Sequence, residues 1–251
     1  CDQAGIHVIE DAAHAPLADS PPDGSGAVHP LGTIGSVGCM SFFSNKNMTT
    51  GEGGMVVTRD PDIAAKLRLL RSHGMSSLTL DRHKGHAHGY DCTLVGWNCR
   101  IDEPRAALGR SQLARLPAAN RRRLELVARY HGCLAALGNV QPVFSERLAG
   151  DLYDASQGRR LAPHIMAVLL PEGCDRDAVQ TRMHAAGVQT SVPYRPVHTF
   201  SLHSDHPQVR HGPLTVTDAI APRLLTLPLY ASMTDAAMDL VVATLAASIA
   251  G

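Results

Sequence analysis

The stretch Ser41-Phe42-Phe43-Ser44-Asn45-Lys46-Asn47-Met48-Thr49-Thr50-Gly51-Glu52-Gly53-Gly54 limits the possible folds more than any other. It holds one lysine among hydroxyls and amides and runs into a glycine-rich turn. Residues 38–43 before the lysine and 55–58 after it are short apolar runs with strand character. Upstream, His7-Val8-Ile9 is a third such run, and it ends in two acids, Glu10 and Asp11. Asp11 and Lys46 therefore both fall where a strand gives way to a loop. Folds of the α/β class place their chemistry at such junctions.

Taken singly, these residues have ordinary readings. A lysine in a Gly/Ser/Thr loop is usually a solvated surface group, and an aspartate after a strand usually caps a turn or helix. Together they suggest a site for a cationic aromatic cofactor. That cofactor is read as pyridoxal phosphate, with Lys46 as the Schiff-base lysine and Asp11 as the partner of the pyridinium nitrogen. A free lysine amine has a pKa of about 10.4 and is a poor nucleophile at neutral pH. Burial or a cationic neighbour lowers that value. Once released by an amino donor, the same amine can carry a proton from the substrate carbon to the cofactor.

The order of motifs is more specific than any one of them. Glu10-Asp11-Ala12-Ala13-His14 is followed by Gly32-Thr33-Ile34-Gly35, by Ser41-Phe42 with Lys46 four residues beyond the Phe, and by Thr50-Gly51-Glu52-Gly53-Gly54. Further on come Arg71-Ser72-His73-Gly74, Gly96-Trp97-Asn98-Cys99-Arg100-Ile101, residues 106–113 and Tyr194-Arg195-Pro196-Val197-His198. This series resembles the DegT/DnrJ/EryC1/StrS family of pyridoxal-phosphate sugar aminotransferases, over nearly the whole chain. The resemblance implies an α/β fold of the aspartate aminotransferase type (PLP-dependent transferase fold type I), followed by an α+β small domain. It implies an amino donor, glutamate or glutamine, and a keto-sugar acceptor linked to a nucleotide.

The same resemblance implies roles for single residues. His14 stands where the family contacts the cofactor's ring oxygen, Ser41 where a serine bonds its phosphate. Asn98 matches an asparagine that reaches the phosphate of a neighbouring subunit, which implies a homodimer with a shared active site. Relatives with histidine in place of Lys46 are sugar dehydratases; the lysine here favours transamination. Family members carry a further segment before the position of Cys1, with a phosphate-binding turn and a stacking aromatic ring. The expectation is a chain lacking that N-terminal part of the large domain, so the alternative readings are a truncated or degenerate non-catalytic relative and a pyridoxal-phosphate-dependent sugar dehydratase.

Charge is balanced, 23 basic against 23 acidic residues, with no basic tract, which argues against nucleic acid as a partner. No apolar run approaches the length of a membrane span, about 20 residues. Six scattered cysteines with no CxxC pair read as reduced thiols of a cytoplasmic protein. His83, His86 and His88 with Cys92 are metal-ligating types, but their spacing matches no common zinc pattern, so no metal is expected. That loop would lie near the mouth of the site.

Hydrophobic content of 44% in 251 residues allows one large or two small domains with a real core. The boundary is placed at Pro117, giving 1–117 as the cofactor-binding part and 118–251 as the small domain. Helices are expected at 60–72, 103–116, 120–137, 175–186, 219–224 and 234–250, with Pro117 ending the second. Residues 164–170 and 188–192 read as strands, and Thr226-Leu227-Pro228-Leu229 as a turn into another.

Overall fold

Strand β1 (Ile9–Asp11) lies parallel to β2 (Val37–Ser41), with Asp11 opposite Cys39. Strand β2 runs antiparallel to β3 (Gly54–Val57), with Ser41 opposite Gly54. These relations come from a computed structural model of the chain, which describes residues 1–77, 83–85, 89–143, 159–204, 206, 208 and 212–251. The chain divides into two compact units, residues 1–118 and 119–251.

In the first unit, the three strands precede α1 (Pro61–Leu70). Asp60 caps this helix: its carboxylate accepts the N–H groups of Asp62 and Ile63, and Pro61 occupies the first turn, where no N–H is needed. The chain then reverses on itself. Ser72 and Asn98 form one bridge, Met75 and Cys92 another. The crossing is tight. A Cβ on Gly74 would stand 1.8 Å from the Leu94 carbonyl oxygen, and Gly74 takes a positive φ of 71°. The small core of this unit gathers Phe42, Met48 and Leu116.

Helix α2 (Glu103–Leu137) is continuous, with Pro117 inside it. This corrects the expected break. An interior proline forfeits one backbone hydrogen bond and crowds the preceding turn, at a cost of about 3 kcal/mol. Packing on either side outweighs it: Leu116 is buried in the first core, and Leu126, Val127, Tyr130 and Leu134 in the second. Burying one such side chain contributes roughly 1.5–3 kcal/mol.

The second unit is a sheet covered by helices. Strand β4 (Gln141–Pro142) pairs antiparallel with β5 (Met166–Leu169). Helix α3 (Arg176–Ala185) is capped by Asp175 and followed by Gly187 at positive φ. After α4 (Ser201–Ser204) and α5 (Thr215–Ile220), β6 (Leu224–Leu227) completes the order β4-β5-β6, and α6 (Asp235–Ala250) closes the unit behind its cap Thr234. Arg122 and Arg129 of α2 reach Asp235 and Asp239 at the start of α6. The Tyr130 hydroxyl, buried, donates to the Pro228 carbonyl at 2.9 Å.

Two other expectations need correction. Residues 188–192 form no strand. Only Ser191 pairs with Thr226, and Pro193 then removes the next donor. Residues 219–224 are no single helix: α5 begins earlier, Pro222 sits in a 3-10 turn at Ala221–Arg223, and Leu224 already belongs to β6. There Leu225 and Leu227 are buried and alternate with Leu224 and Thr226, the period of a half-buried strand. All six cysteines are free. Among the described residues no helix is long and apolar enough to cross a membrane.

Candidate active site

The register of the first sheet decides which side chains share a face. Residues opposite each other in a ladder point the same way, and residues two apart along a strand do too. Asp11, Cys39 and Ser41 therefore project from one face, while Glu10 and Gly38 belong to the other. Opposite Ser41 stands Gly54, which adds no side chain to that face.

Asp11 ends β1 exposed to solvent, and its carboxylate accepts the N–H of Ala13 at 3.0 Å. That turn carries the chain to His14, which is half-buried. The His14 imidazole is held below its ordinary pKa, first by burial and then by the positive charge of Lys46; the negative charge of Asp11 acts the other way. His14 is thus within electrostatic reach of both Lys46 and Asp11.

Lys46 is set by the turn around it. Its N–H donates to Phe43 O at 3.0 Å, Thr50 N–H to Phe42 O at 2.9 Å, and Phe42 N–H to Gly53 O at 2.8 Å. The Thr50 hydroxyl donates to Glu52 O at 2.7 Å. Asn47, Met48 and Thr50, just after the half-buried lysine, are buried, whereas Phe43, Ser44 and Asn45 before it are exposed. A Cβ on Gly109 of α2 would stand 3.0 Å from the Thr50 methyl, so the helix packs directly on this turn. Ser41 is partly buried, and its hydroxyl accepts the Phe43 N–H at 3.3 Å.

Asn98 has a different setting. It is exposed on the Ser72 bridge, and its amide oxygen accepts from Arg100 Nε at 3.0 Å. His83 is exposed; His86 and His88 lie outside the described residues. A cavity of about 480 Å³ opens in the second unit between residues 187–191, β6 and α6. No charged side chain lines it.

One residue went unread in the sequence. The Glu10 carboxylate accepts three backbone N–H groups, from Gly32 at 2.8 Å and from Ile34 and Gly35 at 2.6 Å each. The signal was the Gly32-Thr33-Ile34-Gly35 turn, whose N–H groups need an anion.

The α/β arrangement of the chain, and its likeness to solved aminotransferases, place it in the pyridoxal-phosphate-dependent transferase fold of type I. The chain belongs to the DegT/DnrJ/EryC1/StrS aminotransferase family, whose sequence profile matches residues 1–246. Among solved structures, it is similar to the aminotransferase TlmJ from Streptoalloteichus hindustanus, at 28% identity and a TM-score of 0.80, over 100% of this chain and 60% of that one. It is similar to DesV from S. venezuelae at 29% identity and a TM-score of 0.78, over 98% and 58%. It is also similar to the sugar aminotransferase CalS13 from Micromonospora echinospora at 30% identity and a TM-score of 0.76, over 96% and 58%. The chain thus spans about three fifths of the length of these relatives.

Proposed function

We propose that the chain carries the lysine-bearing part of a pyridoxal-phosphate-dependent aminotransferase that moves an amino group from glutamate or glutamine to a nucleotide-linked keto sugar. The observation that carries this reading is the family match over residues 1–246, and the electrostatic action of both Lys46 and Asp11 on His14 supports it. The donor set fits the cofactor: an amine for its aldehyde, a carboxylate for its ring nitrogen, an imidazole for its ring oxygen and the Ser41 hydroxyl for its phosphate. When bound, pyridoxal phosphate supplies an electron sink for the substrate carbanion.

The residues of the chain do the rest. Lys46 Nζ holds the cofactor and, once released by the amino donor, moves the proton at the substrate carbon. The Asp11 carboxylate keeps a proton on the ring nitrogen. His14, held neutral at pH 7 by burial and by Lys46, bonds the ring oxygen without adding a positive charge beside the amine. In a homodimer, Asn98 would help hold the cofactor phosphate of the second subunit. Free thiols at all six cysteines support a cytoplasmic setting. Lysine at position 46 supports transamination over dehydration.

Purified chain mixed with pyridoxal phosphate is expected to show a visible absorbance band that borohydride bleaches, and Lys46→Ala to abolish it. A second reading is a relative that holds a partner subunit without catalysis. The exposure of Ile9, at 71%, on a parallel strand favours it, because such strands are ordinarily covered on both faces. A folded wild-type chain that develops no band supports that second reading over the first.

A further inference from the structure

Glu10 and Asp11 are neighbours on β1, so their side chains leave opposite faces of the sheet. On the Glu10 face the turn 32–35 is stacked closely against the strands. A Cβ on Gly38 would stand 1.9 Å from the Gly32 carbonyl oxygen, and one on Gly35 would stand 2.6 Å from the Val8 carbonyl oxygen. Into the hollow of this turn the Glu10 carboxylate accepts the N–H groups of Gly32, Ile34 and Gly35. Burial works to raise its pKa, but the three donors outweigh that and hold it below the ordinary value. Successive N–H groups that converge in this way make an anion cradle. Here the chain's own carboxylate fills it, so the turn is closed to a ligand's phosphate.

The cradle fixes the end of β1. That strand has three residues and pairs with β2 on one edge. Its outward Ile9 is largely exposed. The backbone ladder alone is a short anchor for the carboxylate that follows. A side-chain tether to a turn 22 to 25 residues away is a second anchor, placed one residue before Asp11.

We propose that Glu10 is a positioning residue: docked in the 32–35 turn, it sets where Asp11 presents its carboxylate to His14 and, on the cofactor reading above, to the ring nitrogen. Glu10→Gln keeps the size of the side chain but turns an NH2 group toward N–H donors. The end of β1 is then free to shift while the sheet persists.

The test reads His14 in the chain without added cofactor, by NMR titration of its ring nitrogens. In E10Q the Asp11 charge, which favours the imidazolium, moves off. His14 is then expected to titrate lower than in the unaltered chain. A folded E10Q with a lower melting temperature and an unmoved His14 titration overturns the proposal, because a purely structural role predicts that pair of results. If E10Q fails to fold, Glu10→Asp, which keeps the charge and loses reach, carries the same comparison. Failure of both to fold also overturns it. The cofactor reading fails separately, through a wild-type chain that shows no borohydride-sensitive band. A shifted His14 titration alongside that failure leaves the positioning role standing.

Discussion

The carboxylate of Asp11 and the ammonium of Lys46 act in opposite senses on one imidazole, that of His14. Each can be removed on its own. Lys46→Ala takes away a positive charge that disfavours the imidazolium, so the His14 pKa is expected to rise. Asp11→Asn takes away a negative charge that favours it, so the pKa is expected to fall further below 6.5. Ring-nitrogen NMR of the two variants checks both signs. Two shifts of the same sign would contradict the arrangement.

Acid should weaken the first unit through Glu10 and His14 together. Both groups have folded pKa values below their unfolded ones. For each, the unfolded chain binds the proton more readily, so the stabilisation is complete above the unfolded value and is lost as pH falls through the folded one. For His14 the loss begins near pH 6.5, and for Glu10 near pH 4.5. Glu10→Ala is expected to cost about 1–3 kcal/mol at pH 7, the penalty for orphaned N–H groups. It should also flatten the stability profile below pH 4.5. His14→Gln should flatten it only just below pH 6.5. Urea midpoints measured from pH 7 to pH 3.5, about the range of these two transitions, distinguish the cases.

The Lys46 turn closes through Thr50, and Gly53 permits it. A Cβ on Gly53 would stand 2.3 Å from the Thr50 hydroxyl oxygen, which donates to Glu52 O. Thr50 is buried and cannot swing aside. Gly53→Ala is therefore expected to break that hydrogen bond and to loosen the lysine. Affinity for pyridoxal phosphate should fall by roughly tenfold, about 1.4 kcal/mol. Titration of the borohydride-sensitive band measures it.

What the sequence made legible was local. Asp60, Asp175 and Thr234 cap their helices because each acceptor meets N–H groups two or three residues ahead. Asp11 and His14 share a turn for the same reason. Lys46 could be assigned to a loop, but its approach to His14 depends on the pairing of β1 with β2, which spans residues 9 to 41. The filling of the 32–35 turn by Glu10 is longer-range still, and two adjacent acids at a strand end do not announce which one is structural. Residues 188–192 failed as a strand because a partner, not a propensity, decides pairing. Val188 is buried and its N–H goes to Met183 O, which takes it out of any ladder.

Pro117 gives the sharpest disagreement between local rule and fold, and it can be tested directly. Its side chain is exposed, so replacing it removes no packing. Proline has no N–H, so the carbonyl of Leu113 lacks its helical partner. Leu116 on one side and Leu126, Tyr130 and Leu134 on the other hold α2 together across that gap. Pro117→Ala restores the donor and the helical propensity, a gain of about 3 kcal/mol in an exposed helix interior. It also frees the unfolded chain, which returns about 0.4–1 kcal/mol. A net stabilisation near 2 kcal/mol follows from the two figures. Pro117→Gly, with the poorer propensity, is expected to gain about 1 kcal/mol less. Urea unfolding followed by helix circular dichroism reads both. A midpoint that stays put or falls in Pro117→Ala would mean that the helix breaks at this residue in solution, with the proline serving as its stop.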